Sequence, residues 1–381
     1  MRGMWRYRNP VDVRFGARAL DEIGRTLRGR SYCLVTYDDT NDANGVFAAL
    51  TRRVTTLAGS PSAVVRNIGS NPDYRSLHVA CGLYRAASAP IDAIVALGGG
   101  SVIDAAKVLA AANGDFARVR YFLETGKGAE ALGETPIIAV PTTSGTGSEV
   151  TSWATVWDTE RMVKYSLARD SLYPECAIVD PLLTIGLPRA ITVSTGLDAL
   201  SHALESIWNV NANPVSSALA EAAAHEVIEV LPRLALSLND VELRTRMARA
   251  SLQAGLAFSN TKTALAHSLS YPITLQHKVP HGIACSFSLP MVMRAVIGCD
   301  EACDQALGRI FGADLKEGAE RLADFLEGLG VSTDAASHGV ANTQWQTMIE
   351  DALAGERGRN FIGRRDVLLA GNPPMRRAAS G

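Results

Sequence analysis

The sequence predicts an α/β domain followed by an all-α domain, and three observations support this fold class. The chain has 381 residues, which exceeds the size that one hydrophobic core usually serves and favours two domains. Short β-branched runs alternate with helical patterns in the first part. The remainder is helical almost throughout, with Ala and Leu dominant. The predicted boundary lies near residue 182 and separates domains 1–182 and 183–381.

Five runs in the first domain have the nearly continuous apolar character of buried parallel strands. They lie at 31–36, 62–66, 91–97, 136–140 and 177–179. Helical patterns at 76–87 and 101–112 lie between them, so we expect a mostly parallel sheet with helices on both faces. The predicted helices of the second domain are 197–207, 214–231, 241–258, 302–311 and 315–329.

Composition and charge exclude several classes of partner. The chain is 47% hydrophobic and 20% charged, with a formal net charge of −2, so it has no electrostatic footprint for nucleic acid or an anionic membrane. No apolar run approaches the ~20 residues of a membrane span, and the first residues lack the apolar core of a signal peptide. The six cysteines form no CxxC pair, which favours free thiols and a cytoplasmic location.

A glycine-rich turn follows the third predicted strand and precedes a helix. Gly98, Gly99 and Gly100 allow backbone amides to approach a ligand, and the N-terminus of the next helix favours phosphate. Ser101 is the predicted N-cap, and Asp104 three residues later resembles the second member of a capping box. The alternative is a tight turn with no ligand, because the GxGxxG fingerprint is incomplete.

A second polar loop favours a ligand-binding turn over a tight turn with no ligand. The segment PTTSGTGSE at 141–149 follows the strand predicted at 136–140 and carries five hydroxyl side chains. Open α/β sheets bind their ligands at the carboxyl ends of the strands. Two such loops in one sheet favour a dinucleotide.

Four candidate metal ligands lie in two compact segments of the helical domain. Asp198 and His202 are four residues apart and therefore share a helix face. His267 and His281 follow, the latter in a Pro-His-Gly turn. One carboxylate and three imidazoles suit Fe(II), Zn(II) or Mn(II), and an open coordination position provides a Lewis acid. Each residue alone also fits a structural role, and His277 is either a spare ligand, a proton relay or a surface residue.

Six motifs occur in the order and at the separations of a known family. They are GGGSVIDAAK, PTTSGTGSE, KYS, AIVDP, TGLDALSHALE and PHG. Over about residues 8–350 the chain resembles the iron-containing (group III) alcohol dehydrogenases. The resemblance implies an N-terminal α/β dinucleotide-binding domain, an all-α metal-binding domain as in the dehydroquinate synthase-like fold, and an active site in the cleft between them.

The resemblance also implies roles for individual residues. The implied ligands of the divalent metal, Fe(II) or Zn(II), are Asp198, His202, His267 and His281. The residues implied for NAD(P)H are Gly98, Gly99, Gly100, Ser101, Asp104, Thr142, Thr143, Thr146 and Lys164. For Lys164 the alternative is a solvated loop cation. Many members of the family are dimers or larger, so we expect a homo-oligomer.

Three departures from the family pattern leave questions open. Tyr271 stands where many members have a histidine, so the proton route is uncertain, and Tyr271 joins His277 and His267 as catalytic candidates. Tyr37 stands where many NAD-preferring members have Asp, and Asp38, which follows it, is a candidate cofactor-binding residue. The choice between NAD and NADP is therefore open. The segment at 355–363 also departs from the usual ending.

Several short segments resemble one subgroup, the phosphonoacetaldehyde reductases, which form 2-hydroxyethylphosphonate. An anionic aldehyde needs cationic or hydrogen-bonding side chains near the metal. The candidates are Lys262, Asn209, Asn211, Asn213, Arg357 and Arg359, although the two arginines also fit a solvated tail. Other small aldehydes or ketones (lactaldehyde, an alkanal, maleylacetate), a dehydroquinate-synthase-like lyase reaction and a non-catalytic binding protein are the alternatives.

Overall fold

The parallel sheet predicted for the first half of the chain is present. The computed structural model describes residues 4–37 and 45–370. Six strands form the sheet in the order β1-β8-β5-β4-β2-β3, and every pairing is parallel. They are β1 (Asp12–Phe15), β2 (Tyr32–Tyr37), β3 (Ala63–Ile68), β4 (Ala93–Gly98), β5 (Ile137–Pro141) and β8 (Cys176–Val179).

Helices cover both faces of this sheet, as the continuous apolar runs predict. They are α1 (Ile23–Leu27), α2 (Val46–Ala58), α3 (Tyr74–Arg85), α4 (Gly100–Ala112) and α5 (Phe116–Thr125). Alternate residues of a strand point to opposite faces, so Val35 and Ile94 belong to one apolar cluster, whereas Leu34 and Val95 belong to another.

The register of the two central strands brings the two polar loops together. Gly98 at the end of β4 is opposite Pro141 at the end of β5. The Thr142 backbone amide donates to the Gly98 carbonyl at 3.1 Å. The glycine turn after β4 and the hydroxyl-rich loop after β5 therefore meet at the carboxyl edge of the sheet, where α/β folds bind ligands.

Two features of this half were not predicted from the sequence. The strand β1 is short and lies at the sheet edge, where alternation of apolar residues is weak. The antiparallel hairpin β6 (Trp153–Asp158) and β7 (Val163–Ala168) forms a separate sheet. Only one residue of its second strand is buried and several are polar, so its sequence lacks the apolar run of a buried strand.

The second half is helical, as predicted, and its helices share one large apolar core. They are α6 (Arg189–Ile207), α7 (Pro214–Leu236), α8 (Val241–Thr261), α9 (Leu265–His277), α10 (His281–Ser286), α11 (Leu289–Val296), α12 (Glu301–Phe311), α13 (Leu315–Gly328), α14 (Asn342–Ala354) and α15 (Arg365–Leu369). Among the described residues, no helix is both long and apolar enough to cross a bilayer. The boundary between 1–182 and 183–381 stays a prediction.

Candidate active site

A cavity lies between the carboxyl edge of the sheet and the helical half. Gly100 and Ser101 of α4 line it from one side, and Asp198, His267 and His281 line it from the other. The hairpin β6–β7 and the segment before α15 also contribute side chains. The cavity thus joins the predicted phosphate-binding turn to the predicted metal ligands.

The four predicted metal ligands converge on one point. Asp198 and His202 lie on α6, His267 lies on α9, and His281 is the first residue of α10. Asp198 Oδ1 is 3.5 Å from His267 Nε2, 3.8 Å from His281 Nε2 and 3.9 Å from His202 Nε2. Residues 69 positions apart in the chain therefore form one cluster, which is the arrangement that a shared ion requires.

Two buried donor atoms of the cluster support a divalent cation at this point. Asp198 Oδ1 and His267 Nε2 are buried and have no hydrogen-bond partner. Leaving a buried polar atom unpaired destabilises a protein by about 1–3 kcal/mol, and by more for a charged group. A bound cation would satisfy both atoms, so the residues present fit a metal ion.

The protonation states of the cluster also suit metal binding. Burial raises the pKa of Asp198, but the surrounding imidazoles, His202 first, lower it by more, so the net shift is downward. Burial lowers the pKa of His202 to about 3. A metal ion requires ionised carboxylate and neutral imidazole, which are the states favoured at Asp198 and His202. At His267 burial lowers the pKa, but Cys285 and Glu205 raise it by more, so metal binding there displaces a proton.

Glu205, which the sequence analysis did not identify, orients the predicted metal ligand His267. Its fully buried carboxylate accepts from His267 Nδ1 at 2.6 Å and from the backbone amides of Ala264 and Ala266. This contact turns His267 Nε2 toward the cavity. Glu205 is seven residues after Asp198 on the same helix, so helical periodicity could have revealed it.

Glu205→Gln is expected to weaken metal binding by about 10–100-fold, because partners of metal-bound histidines have effects of this size. Gln keeps the side-chain volume, but its neutral amide is a weaker acceptor for His267 Nδ1–H. Metal titration of the apoprotein measures the change. Ser201→Ala is the matched control, since Ser201 is buried on the same helix and its hydroxyl donates to the Leu197 carbonyl. Equal metal affinity in both variants would contradict the role of Glu205.

The loop after β5 and the Tyr37 side chain pack closely against the glycine turn, so that a side chain would not fit there. A β-carbon on Gly100 would lie 2.5 Å from Thr146 Cγ2, and one on Gly99 would lie 2.6 Å from the Tyr37 hydroxyl and 2.9 Å from Thr143 Oγ1. The first amides of α4 have no acceptor within the helix. This cradle at a helix N-terminus fits the pyrophosphate of a dinucleotide. Asp38 lies outside the described residues.

Two details of this turn correct the sequence analysis. Gly99, not Ser101, is the N-cap of α4, because the helix already begins at Gly100. The Ser101 hydroxyl accepts from the Asn71 backbone amide at 3.3 Å. Asp104 is not a capping-box residue. Its carboxylate accepts from the Ser148 hydroxyl at 2.6 Å and from the Thr155 amide at 2.8 Å, so it holds the loop after β5 against β6.

Lys107 fixes the same loop from the buried side of α4. Its fully buried Nζ donates to the Ser148 carbonyl and hydroxyl at 2.8 Å each, to Thr151 Oγ1 at 3.1 Å and to the Trp153 carbonyl at 2.8 Å. Burial lowers the pKa of Lys107 to about 8. The cavity wall formed by Thr146 and Ser148 is therefore rigidly attached to the phosphate-binding helix.

Two basic side chains contact the same tyrosine ring in the part of the cavity beside His281. Lys164 Nζ lies 3.6 Å from the centre of the Tyr271 ring, and Arg357 Cζ lies 5.0 Å from it. The Tyr271 ring in turn stacks with the His281 ring at 6.3 Å. Burial and the charge of Arg357 hold the pKa of Lys164 well below its usual range. Lys164 is thus a cavity residue rather than a solvated cation.

Neither cation is neutralised by an adjacent carboxylate. Within the described ranges, no ion pair closer than 4.0 Å involves Lys164 or Arg357, and Arg357 Nε donates to Thr263 Oγ1 at 2.8 Å. Lys262 also lines the cavity, but it is exposed and its Nζ is 3.9 Å from Glu356 Oε1. The Arg357 guanidinium therefore leaves uncompensated positive charge at this end of the cavity, and an anion bound there would also favour the protonated form of Lys164.

Several predicted site residues lie outside the cavity lining. The side-chain amides of Asn209 and Asn211 donate to the backbone carbonyls of Lys262 and Thr261, and Asn213 caps α7, so all three have structural contacts.

Arg359, another predicted substrate residue, is exposed. His277 ends α9 beside Gly339, where the proton-relay role has no support. The glycine turn is shaped by four residues that do not themselves line the cavity, namely Gly98, Gly99, Thr142 and Thr143.

The sequence analysis did not predict several other residues of the cavity lining. The cavity wall includes Trp153, Trp157, Phe258 and Asn360. They come from the hairpin, α8 and the segment after α14, which the motif pattern did not connect with the site. Cys285 on α10 is close to the ligands as well: its Sγ is 3.5 Å from His281 Nε2. Burial raises the pKa of Cys285, but His267 and His281 lower it to about 7 overall.

Comparisons with known proteins show a family that matches most of this chain. Residues 10–181 match the family model described as iron-containing alcohol dehydrogenase, and residues 192–362 match the C-terminal model of the same family. The NAD-dependent methanol dehydrogenase of Bacillus methanolicus is 34% identical over 74% of this chain and 73% of its own. The 1,3-propanediol dehydrogenase of Klebsiella pneumoniae is 33% identical over 74% of this chain and 72% of its own.

Solved structures also resemble this chain over nearly its whole length. The sulfoacetaldehyde reductase of Bifidobacterium kashiwanohense, solved in complex with NAD+, has a TM-score of 0.87 and 29% identity. The match covers 96% of this chain and 97% of that one.

Proposed function

Because the chain belongs to the iron-containing alcohol dehydrogenase family, it is an NAD-linked, metal-dependent alcohol dehydrogenase, and we propose that its substrate is a small anionic aldehyde. The finer proposal is reduction of phosphonoacetaldehyde to 2-hydroxyethylphosphonate. The observation that carries it is the pair of basic side chains, Arg357 and Lys164, which lie on the Tyr271 ring beside His281 without a carboxylate partner.

The chain's own residues would hold the two reacting groups. When bound, the ion supplies a Lewis acid for the carbonyl oxygen, and the nicotinamide supplies the hydride. Asp198, His202, His267 and His281 would hold the ion, with Glu205 fixing the orientation of His267. The turn at Gly99 and Gly100 and the N-terminus of α4 would hold the pyrophosphate, with Thr146 and Ser101 on the cavity wall.

The remaining lining positions the substrate and excludes water. Lys164 and Arg357 would bind the phosphonate, which places the aldehyde end toward His281. Trp157 and Phe258 supply apolar walls, and a less hydrated cavity strengthens each charge interaction. Burial raises the pKa of Tyr271, so its phenol stays protonated and its ring acts mainly as the platform between the two cations.

One relative supports an anionic aldehyde. The structural neighbour from Bifidobacterium kashiwanohense is a sulfoacetaldehyde reductase, and a sulfonate, like a phosphonate, is a tetrahedral anionic group. Its identity of 29% leaves room for a different anion, so sulfoacetaldehyde is the competing substrate in the test. The homo-oligomeric state and the cytoplasmic location stay predictions.

Arg357→Met is expected to raise KM for phosphonoacetaldehyde by about 10–100-fold and to leave KM for propanal within about twofold, since a hydrogen bond to a charged group contributes about 1.5–3 kcal/mol. Oxidation of NADH or NADPH with added Fe(II), Zn(II) or Mn(II) measures both substrates. The wild-type enzyme should prefer the phosphonate aldehyde in kcat/KM.

Arg359→Met is the matched control, because Arg359 is two residues away, exposed and outside the cavity lining. It should leave KM for both aldehydes unchanged. A wild-type enzyme that favours propanal, or an Arg357→Met variant with equal effects on both aldehydes, would refute the anionic substrate. A preference for sulfoacetaldehyde would replace the phosphonate with the sulfonate and keep the anion-binding role.

A further inference from the structure

The side chain of Arg357 is fixed at two points by the protein itself. Its Nε–H donates to Thr263 Oγ1 at 2.8 Å, and its Cζ lies 5.0 Å from the centre of the Tyr271 ring. Among the described residues, its two terminal nitrogens have no protein acceptor. The bond to Thr263 therefore occupies only Nε and leaves both terminal NH2 groups of the guanidinium for an anion in the cavity.

The backbone that carries Arg357 is fixed as well. The side-chain amide of Asn360 donates to the Thr263 carbonyl at 2.9 Å. A β-carbon on Gly358 would overlap the Ala352 carbonyl, so the turn after α14 packs tightly against the end of that helix. Thr263 thus contacts this segment twice, through its carbonyl and through its hydroxyl.

Thr263 lies in a short connection that is held in place from the other side. Residues 262–264 join α8 to α9, and Thr263 is 7% exposed. The Ala264 backbone amide donates to the Glu205 carboxylate at 2.8 Å, and the same carboxylate accepts from His267 Nδ1 at 2.6 Å. One buried carboxylate therefore fixes both the connection that carries Thr263 and the imidazole of a predicted metal ligand.

We propose that Thr263 is a positioning residue that holds the Arg357 guanidinium toward the cavity and thereby sets the affinity for the anionic end of the substrate. The proposal rests on the proposed function, because it concerns the same anion-binding arginine. An arginine side chain that is ordered in advance loses less conformational entropy when an anion binds. Because Thr263 acts on the non-reacting end of the substrate, loss of its hydroxyl changes KM rather than kcat.

Thr263→Val removes the hydroxyl acceptor and keeps a branched side chain of similar size. It is expected to raise KM for phosphonoacetaldehyde by roughly 3–10-fold, while kcat and the KM for propanal stay within about twofold of the wild type. Thr263→Ser keeps the hydroxyl and should retain the wild-type KM for both aldehydes. Oxidation of NADH or NADPH with each aldehyde measures these values.

Thr274→Val is the matched control for the loss of a threonine hydroxyl. Thr274 is 8% exposed, lies on α9 outside the cavity lining, and its Oγ1 has no hydrogen-bond partner within the part of the chain that the structure describes. This substitution should leave KM for both aldehydes unchanged.

The double variant Thr263→Val/Arg357→Met separates positioning from direct binding by Thr263. If Thr263 acts through Arg357, the double variant should have the KM of Arg357→Met alone. A wild-type KM for phosphonoacetaldehyde in Thr263→Val, equal losses in Thr263→Ser and Thr263→Val, or additive effects in the double variant would each overturn the proposal. The anionic substrate survives these outcomes if Arg357→Met alone still raises KM selectively, whereas a wild-type enzyme that favours propanal would overturn both proposals.

Discussion

His267→Ala is expected to abolish metal retention and to lower kcat/KM for aldehyde reduction by about 10³-fold or more. The expected size follows because a Lewis acid contributes several kcal/mol to the transition state and each 1.36 kcal/mol is a factor of ten. His267 contributes one of the three buried, unpaired polar atoms of the cluster, and Glu205 orients its ring. Metal analysis after gel filtration, together with NADH oxidation, measures both effects.

Cofactor binding separates this loss from unfolding. The glycine turn lies on α4, whereas His267 lies on α9, so the variant should still bind NADH, as fluorescence titration can show. His225→Ala is the control, since His225 is exposed on α7. Full activity of His267→Ala without bound metal would remove the ion from the mechanism.

Gly100→Ala is expected to weaken NADH binding by about 10–100-fold while metal content stays that of the wild type. The added β-carbon would lie 2.5 Å from Thr146 Cγ2 and 2.8 Å from Thr146 Cβ. Something must therefore shift, and overpacking of this kind typically costs about 1–3 kcal/mol. Asp104 and Lys107 hold the loop through Ser148, so the strain falls on the phosphate-binding turn.

Gly308→Ala is the matched control for this substitution. Gly308 also lies in a helix, α12, and a β-carbon there would have no heavy atom within 4 Å. It should leave NADH affinity unchanged and stabilise the helix slightly, because Ala has the higher helix propensity. Wild-type NADH affinity in Gly100→Ala would show that the dinucleotide binds elsewhere.

Local sequence patterns predicted the parts of the fold and site that depend on neighbours in the chain. The continuous apolar runs of β2, β4 and β5 indicated a buried parallel sheet, because such strands are covered on both faces. The spacing of Asp198 and His202 indicated one helix face. The family motifs then connected this pair with His267 and His281, which the structure places within 4 Å of Asp198.

The rest depends on contacts that sequence spacing does not encode. Lys164 and Arg357 are 193 residues apart, and only the folded chain brings both to the ring of Tyr271. Proximity in sequence was misleading for Asn209, which follows His202 by two helical turns but donates to the backbone of Lys262. Cys285 lies four residues after His281 on α10, so helical periodicity could have indicated that neighbour, but its proximity to Asp198 and His267 depends on α6 and α9.

The central claim is that one ion and one nicotinamide share the cavity between the sheet and the helical half. A crystal structure of the metal- and NADH-loaded protein, with anomalous data collected at the absorption edge of the metal, tests it most directly. We predict a single anomalous peak in contact with Asp198, His267 and His281, and the nicotinamide ring in the same cavity. A peak at another site, or a nicotinamide bound away from these residues, would contradict the claim.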